Sequence, residues 1–335
     1  LDTETVMSRR SSRRRTRMAM LMVATSISIP QSGHAGFDAL DPLGVMREKV
    51  HAITVEVAPG DWGDVDPRDV QLVLESVAKE FLAGSVGVEK DLKFRVMPRS
   101  GAPRVLYDRG VSGEYQILLT ARDERWFQYA YQFAHELCHV ASNFDRKLRV
   151  DDDHGSANQW FEEALCETAS LYTLMRLAVR WRTLPPTRNW IGYGDTFAAY
   201  AEKLVQEPHR QLGHRSLSEW YSENSDSLRH NPYMREKNEI VAGQLLPLFE
   251  EHPEYWRAIA YLNPNAASSA KPFAAYLADW YAASPDKALP ARVFARFGLE
   301  NVAGASLDTG EGAKTGGTQN QAAPHDNAVL GPGGD

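Results

Sequence analysis

A chain of 335 residues with 43% hydrophobic and 24% charged side chains can bury a sizeable core, as one large domain or two modest ones, which excludes a disordered or fibrous protein. Its formal net charge is −7, and residues 1–35 carry six Arg against Asp2 and Glu4, so the remainder is more acidic still, at −11. An acidic body lacks the clustered Lys and Arg that phosphate contacts need, which excludes nucleic acid as a partner.

The chain opens with Arg9, Arg10, Arg13, Arg14, Arg15 and Arg17 ahead of an apolar run from Met18 to Ile29, then Pro30 and the small-x-small sequence Gly33-His34-Ala35. A basic segment, a short apolar segment and a small-residue cleavage site are the parts of a secretory signal peptide, here residues 1–35 with Met7 as the natural start. The apolar run is too short for a transmembrane helix. With no cysteine near the cleavage site, nothing anchors the cleaved protein to a membrane, and a periplasmic or secreted location is expected. The alternative is a basic tail on a cytoplasmic protein.

Residues 36–145 read as a mixed α/β lobe. Ile53, Val55 and Val57 alternate with Thr54 and Glu56, the period of a half-buried strand. Asp66-Pro67 then caps and opens a helix whose apolar face is Val70, Val73, Leu74, Val77 and Phe81. Leu92, Phe94 and Val96 mark a second strand, and Tyr115, Ile117 and Leu119 a third over 115–120.

From about Arg125 to Asn143 the period changes to that of a helix, with Trp126, Tyr129, Phe133, Leu137 and Val140 on one side. A polar loop, Asp151–Ser156, precedes a long helix from about Asn158 to Trp181, stopped by Pro185-Pro186. Shorter helices are expected over Thr196–Val205, Lys237–Glu250, Glu254–Leu262 and Pro272–Ala282, which makes 146–303 a mainly helical lobe. Trp190, Tyr193, Trp220 and Trp256 read as its core, and His154 as part of an exposed acidic loop. Residues 304–335 are rich in Gly, Thr, Asn and Pro without apolar period, a disordered tail by composition.

The chemistry lies in Phe133-Ala134-His135-Glu136-Leu137-Cys138-His139. On a helix, i and i+4 share a face, so His135 and His139 can point imidazole nitrogens at one ion. Glu136 lies about 100° further round, placed to reach a metal-bound water and accept its proton. A catalytic zinc needs a third protein ligand and an open position. The next helix offers Trp160-Phe161-Glu162-Glu163-Ala164-Leu165-Cys166-Glu167, with Glu163 24 positions after His139. Glu163 and Glu167 share a face there. One can bind metal while the other hydrogen-bonds the far nitrogen of a ligand histidine.

These two segments resemble the gluzincin zinc metallopeptidases, especially the aminopeptidase N branch, where a Trp-x-x-Glu-Gly-Leu/Phe-Ala segment follows the His-Glu-x-x-His helix by about two dozen residues. The match holds at Trp160, Glu163 and Leu165 and departs at Ala164 and Cys166, both small side chains. The resemblance implies an α+β, thermolysin-like zincin. It implies Zn2+ on His135, His139 and Glu163, with Glu136 as the catalytic base and Glu167 as the outer partner. It also implies an oxyanion role for Tyr233, 70 positions after Glu163, although the Lys-Gly that follows this Tyr in the family is absent. His230 is an alternative donor. The strand at 115–120 is expected to be the edge strand that pairs with an extended substrate. No Gly-x-Met-Glu-Asn sequence is present, so the expected substrate class is peptide or protein without a choice of cleavage direction.

Peptide hydrolysis is therefore the expected function, against the alternative of a catalytically silent zinc-binding or interaction module. Nothing in the pattern specifies an oligomer. The two cysteines, Cys138 and Cys166, each lie three residues after a ligand position and are expected to be close, either bonded or as inert buried thiols.

Overall fold

A computed structural model describes residues 52–84, 91–147 and 157–299. The signal peptide, the acidic loop with His154 and the C-terminal tail expected from the sequence lie outside these residues.

The first strand, β1 (Ile53–Val57), leads into α1 (Pro67–Gly84) and then β2 (Leu92–Pro98). Asp66 Oδ1 accepts the Arg68 N–H at 2.9 Å, the cap expected ahead of Pro67. The two-residue strand β3 (Arg104–Val105) and then β4 (Tyr115–Leu119) complete a four-stranded sheet of order β1-β2-β4-β3. β1, β2 and β4 are parallel, while β3 runs antiparallel to β4 with Val105 opposite Ile117. This corrects one expectation: the strand at Tyr115–Leu119 is interior to the sheet, and β3 forms the edge. Two residues carry no period, so β3 exists only through its pairing with β4.

The helices are α2 (Trp126–Ala141), α3 (Gln159–Thr183), α4 (Gly194–Val205), α5 (Leu217–His230), α6 (Arg235–Glu251), α7 (Ala266–Ser269), α8 (Phe273–Ala283) and α9 (Ala288–Arg296). The segment expected as a helix at Glu254–Leu262 is a 3₁₀ helix, Pro253–Tyr261. The class is α+β, with one small sheet among many helices. None of the described helices is long and apolar enough to cross a membrane.

The apolar face of α1 is fully buried, as are Leu92, Phe94, Val96, Tyr115, Ile117 and Leu119. Trp190, Trp220 and Trp256 are core, as expected. α2 lies along α3, and the start of α3 is fixed by aromatic packing: Trp160 and Phe161 meet Phe273 at centroid distances of 4.7 and 5.2 Å, and Phe161 meets Trp280 at 6.1 Å. That packing sets the rotation of α3 and hence where its glutamates point. Further along, Gly194 lets α4 begin against α3, since a Cβ there would stand 2.5 Å from the Ala178 carbonyl oxygen.

Candidate metal centre

α2 and α3 bring His135, His139 and Glu163 together, with one donor atom from each within 4.8 Å of the others. His135 Nε2 and His139 Nε2 stand 3.1 and 3.6 Å from Glu163 Oε2. A tetrahedral ion with ligand distances of ~2.0–2.1 Å separates its donors by ~3.3 Å, so the spacing fits such an ion. The side chains of His135 and Glu163 keep 20% and 18% exposure, which leaves one side of the group open to solvent.

The outer contacts are specific. His139 Nδ1 donates to Glu162 Oε1 at 2.7 Å, and Nε2 on the other side of the ring faces Glu163. Glu162 Oε2 accepts from Lys147 Nζ at 2.7 Å and from Asn263 Nδ2 at 2.8 Å. Glu163 Oε1 accepts from Gln159 Nε2 at 2.7 Å, leaving Oε2 for the histidines. Burial acts to raise the Glu162 carboxyl, but Lys147 and His139 outweigh it and bring it to about 2. Burial likewise opposes charge on His139, yet Glu163 and Glu162 hold its imidazole well above the usual range. The group therefore draws positive charge to the point where the three donors meet.

Glu162 joins the candidate centre with no role expected of it from the sequence, and Glu167 is a correction. Glu167 was expected behind a ligand histidine. Instead Glu167 Oε1 pairs with Arg210 Nη2 at 2.9 Å, and Oε2 accepts from the Tyr131 hydroxyl. One helical turn of rise, ~5.4 Å, carries it past the histidines. The neighbouring Glu162 would have been the better choice, since it lies one position from the ligand at the same height.

Glu136 is only 3% exposed. Burial pushes its carboxyl up, opposed by His135 and His139, with Glu163 adding to the rise and the Val105 N–H pulling it down. Leu106 donates its N–H to Gln116 on β4, so the preceding N–H, that of Val105, faces away from β4 on the side where α2 packs and Glu136 lies. The candidate base is thus held between the ligand helix and the sheet edge.

Tyr233 lies in the turn between α5 and α6, where its N–H bonds Asn231 Oδ1 at 3.2 Å and the buried Asn238 holds the Pro232 carbonyl at 2.8 Å. The residue is 59% exposed. Its hydroxyl is raised by partial burial, then by Glu163 and Tyr107, and lowered by Lys147 and His139, so it lies within electrostatic range of the centre. His230 is exposed, and its Nδ1 bonds Asp226 O of its own helix at 2.6 Å. The His230 ring is thus turned back onto its own helix, while the Tyr233 hydroxyl feels the charges of the centre.

Cys138 and Cys166 are both free and fully buried. Their thiols hydrogen-bond to each other, and burial followed by Cys138 holds the Cys166 thiol well above its usual range. They are the close, reduced pair, not the disulfide.

Two other features compete for attention and carry less. Glu207, His209 and Glu239 also converge, but Arg210 and Arg235 already hold the same carboxylates at 3.3, 3.0 and 2.7 Å, and two guanidinium groups oppose a cation there. A cavity of about 560 Å³ lies beside Pro59, Arg95, Arg99 and Arg122, away from α2 and α3. Its arginines are engaged by Glu56, by the Ser100 carbonyl and by Asp61. Convergent donors with matched outer contacts outweigh concavity as the mark of a site. No family model matches the chain, and no curated protein matches it in sequence.

Proposed function

We propose that the protein is a zinc-dependent peptidase of the gluzincin kind, acting outside the cytoplasm on peptides or proteins. The observation that carries this reading is the meeting of His135, His139 and Glu163 with a buried carboxylate, Glu136, beside them. Two imidazoles and one carboxylate are a zinc donor set with a position left open. Zinc in this place supplies a Lewis acid that polarises the scissile carbonyl and lowers the pKa of the attacking water.

The remaining steps belong to the chain. Glu136 takes the proton of the attacking water and passes it to the departing amine. The Tyr233 hydroxyl donates to the oxyanion as it forms. The β3 edge beside Glu136 offers main-chain groups on which an extended peptide can align. A structural zinc site is normally closed by four protein ligands and has no use for a base. The Arg-rich leader supports an exported protein.

Purified protein stripped of metal and titrated with zinc is expected to bind about one ion per chain. Loaded protein should cleave members of a quenched fluorescent peptide library, and a chelator should stop it. Zinc binding without cleavage of any peptide would mark a silent zinc-binding module, and no zinc binding would end the reading altogether. Within an active enzyme, Tyr233→Phe should lower turnover by roughly 10²-fold or more. His230→Ala should leave it within a few-fold, and the reverse order of effects would exchange their roles.

A further inference from the structure

We propose that Lys147 is a positioning residue for this centre, a single buried ammonium that orients the outer partners of two of the three metal ligands at once. The inference rests on the reading of His135, His139 and Glu163 as a zinc site.

Asn143 takes the left-handed conformation, with φ of 58°, directly after α2, and the chain then turns through the 3₁₀ segment Phe144–Arg146. The turn brings Lys147 back against the start of α3, where its side chain is 3% exposed. An ammonium group can only donate hydrogen bonds. One goes to Glu162 Oε2 at 2.7 Å and another to Gln159 Oε1.

Each bond fixes a direction further in. Because Lys147 must meet the oxygen of the Gln159 amide, the amide nitrogen is left facing Glu163 Oε1, at 2.7 Å. Glu163 Oε2 is then the oxygen free for the ion. Because Lys147 holds Glu162 Oε2, Oε1 is the oxygen left to meet His139 Nδ1, at 2.7 Å, and the other ring nitrogen, Nε2, faces Glu163 Oε2. Without Lys147, Glu162 Oε2 is left with the Asn263 amide, and the carboxylate is less firmly aimed at His139.

The test is zinc affinity, measured by competition with a chromophoric chelator. Lys147→Met should weaken zinc binding by roughly 10–100-fold, the usual effect of losing an outer partner of a metal ligand. Where that variant does not fold, Lys147→Gln replaces it, since it still donates to Glu162 while removing the charge, and the same direction is expected. In a Glu162→Met/Gln159→Leu background, which lacks both links, adding Lys147→Met should change affinity by no more than about two-fold. A general structural role would weaken binding equally in both backgrounds, and that result overturns the proposal. Wild-type affinity in the variant that folds overturns it too. Failure of the wild-type chain to bind zinc would instead overturn the metal-site reading beneath it.

Discussion

Glu136→Gln is expected to lower peptide hydrolysis by about 10²–10⁴-fold, the usual contribution of a general base, while zinc stays near one ion per chain. The substitution is close to isosteric. A glutamine fills the same space beside Val105, so the contact between α2 and β3 survives. His135, His139 and Glu163 are untouched, and their outer partners do not include Glu136. What the amide cannot do is take a proton from water. A carboxyl pushed up by burial is suited to the task, because a base nearer neutrality shares the proton more evenly with its donor. Metal analysis and steady-state kinetics on the same sample give the answer. Turnover within a few-fold of wild type, with zinc present, would sink the assignment of Glu136 and move the base elsewhere.

Arg210→Leu is expected to destabilise the fold by about 3–5 kcal/mol, the cost of removing one partner from a buried ion network. Arg210 is 2% exposed and holds Glu167, Glu239 and Glu207 at 2.9, 3.0 and 3.3 Å. Glu239 keeps Arg235 and His209 when the guanidinium goes, but Glu167 keeps only the Tyr131 hydroxyl. Urea unfolding of the metal-free variant should show the loss as a lower midpoint, and a change below about 1 kcal/mol would mean that the network is solvated in solution. The companion variant Glu167→Gln tests the corrected role of this residue. It should lower stability and leave zinc affinity within about two-fold, since the partners of Glu167 are Arg210 and Tyr131 and those of His139 and Glu163 are Glu162 and Gln159.

The positions of β1, β2, β4 and α1 to α3 were legible because each buries one regular face, as in Val70, Val73, Leu74, Val77 and Phe81 of α1. Other elements gave no such signal. Helix α5 buries only Leu217, Trp220 and Leu228, too few for a stripe. Its start was nonetheless written in the chain, as the capping box in which the Ser216 hydroxyl accepts the Glu219 N–H and the Glu219 carboxylate accepts the Ser216 N–H. For the site, spacing placed His135 and His139 on one helix face and offered Glu163 or Glu167 as the third donor, and the resemblance chose Glu163. It could not foresee which glutamate stands behind His139, because that depends on the offset between α2 and α3. Nor could it reveal Asn263, which arrives from 101 residues away to hold Glu162. Contacts of that range leave no periodic trace.

The same difference in range orders the assembly of the centre in time. His135 and Glu163 are 28 residues apart, and Glu162 is 101 residues from Asn263. Loop-closure entropy alone makes the longer contact about 1 kcal/mol harder to form, and local contacts form faster than distant ones. The α2–α3 pair can thus meet early, but Phe273 and Trp280, whose rings fix the rotation of α3, come from near the far end of the described residues. The three donors are therefore brought to one point only as the C-terminal helices dock, and a chain cut short before α8 would hold the donor residues without their arrangement.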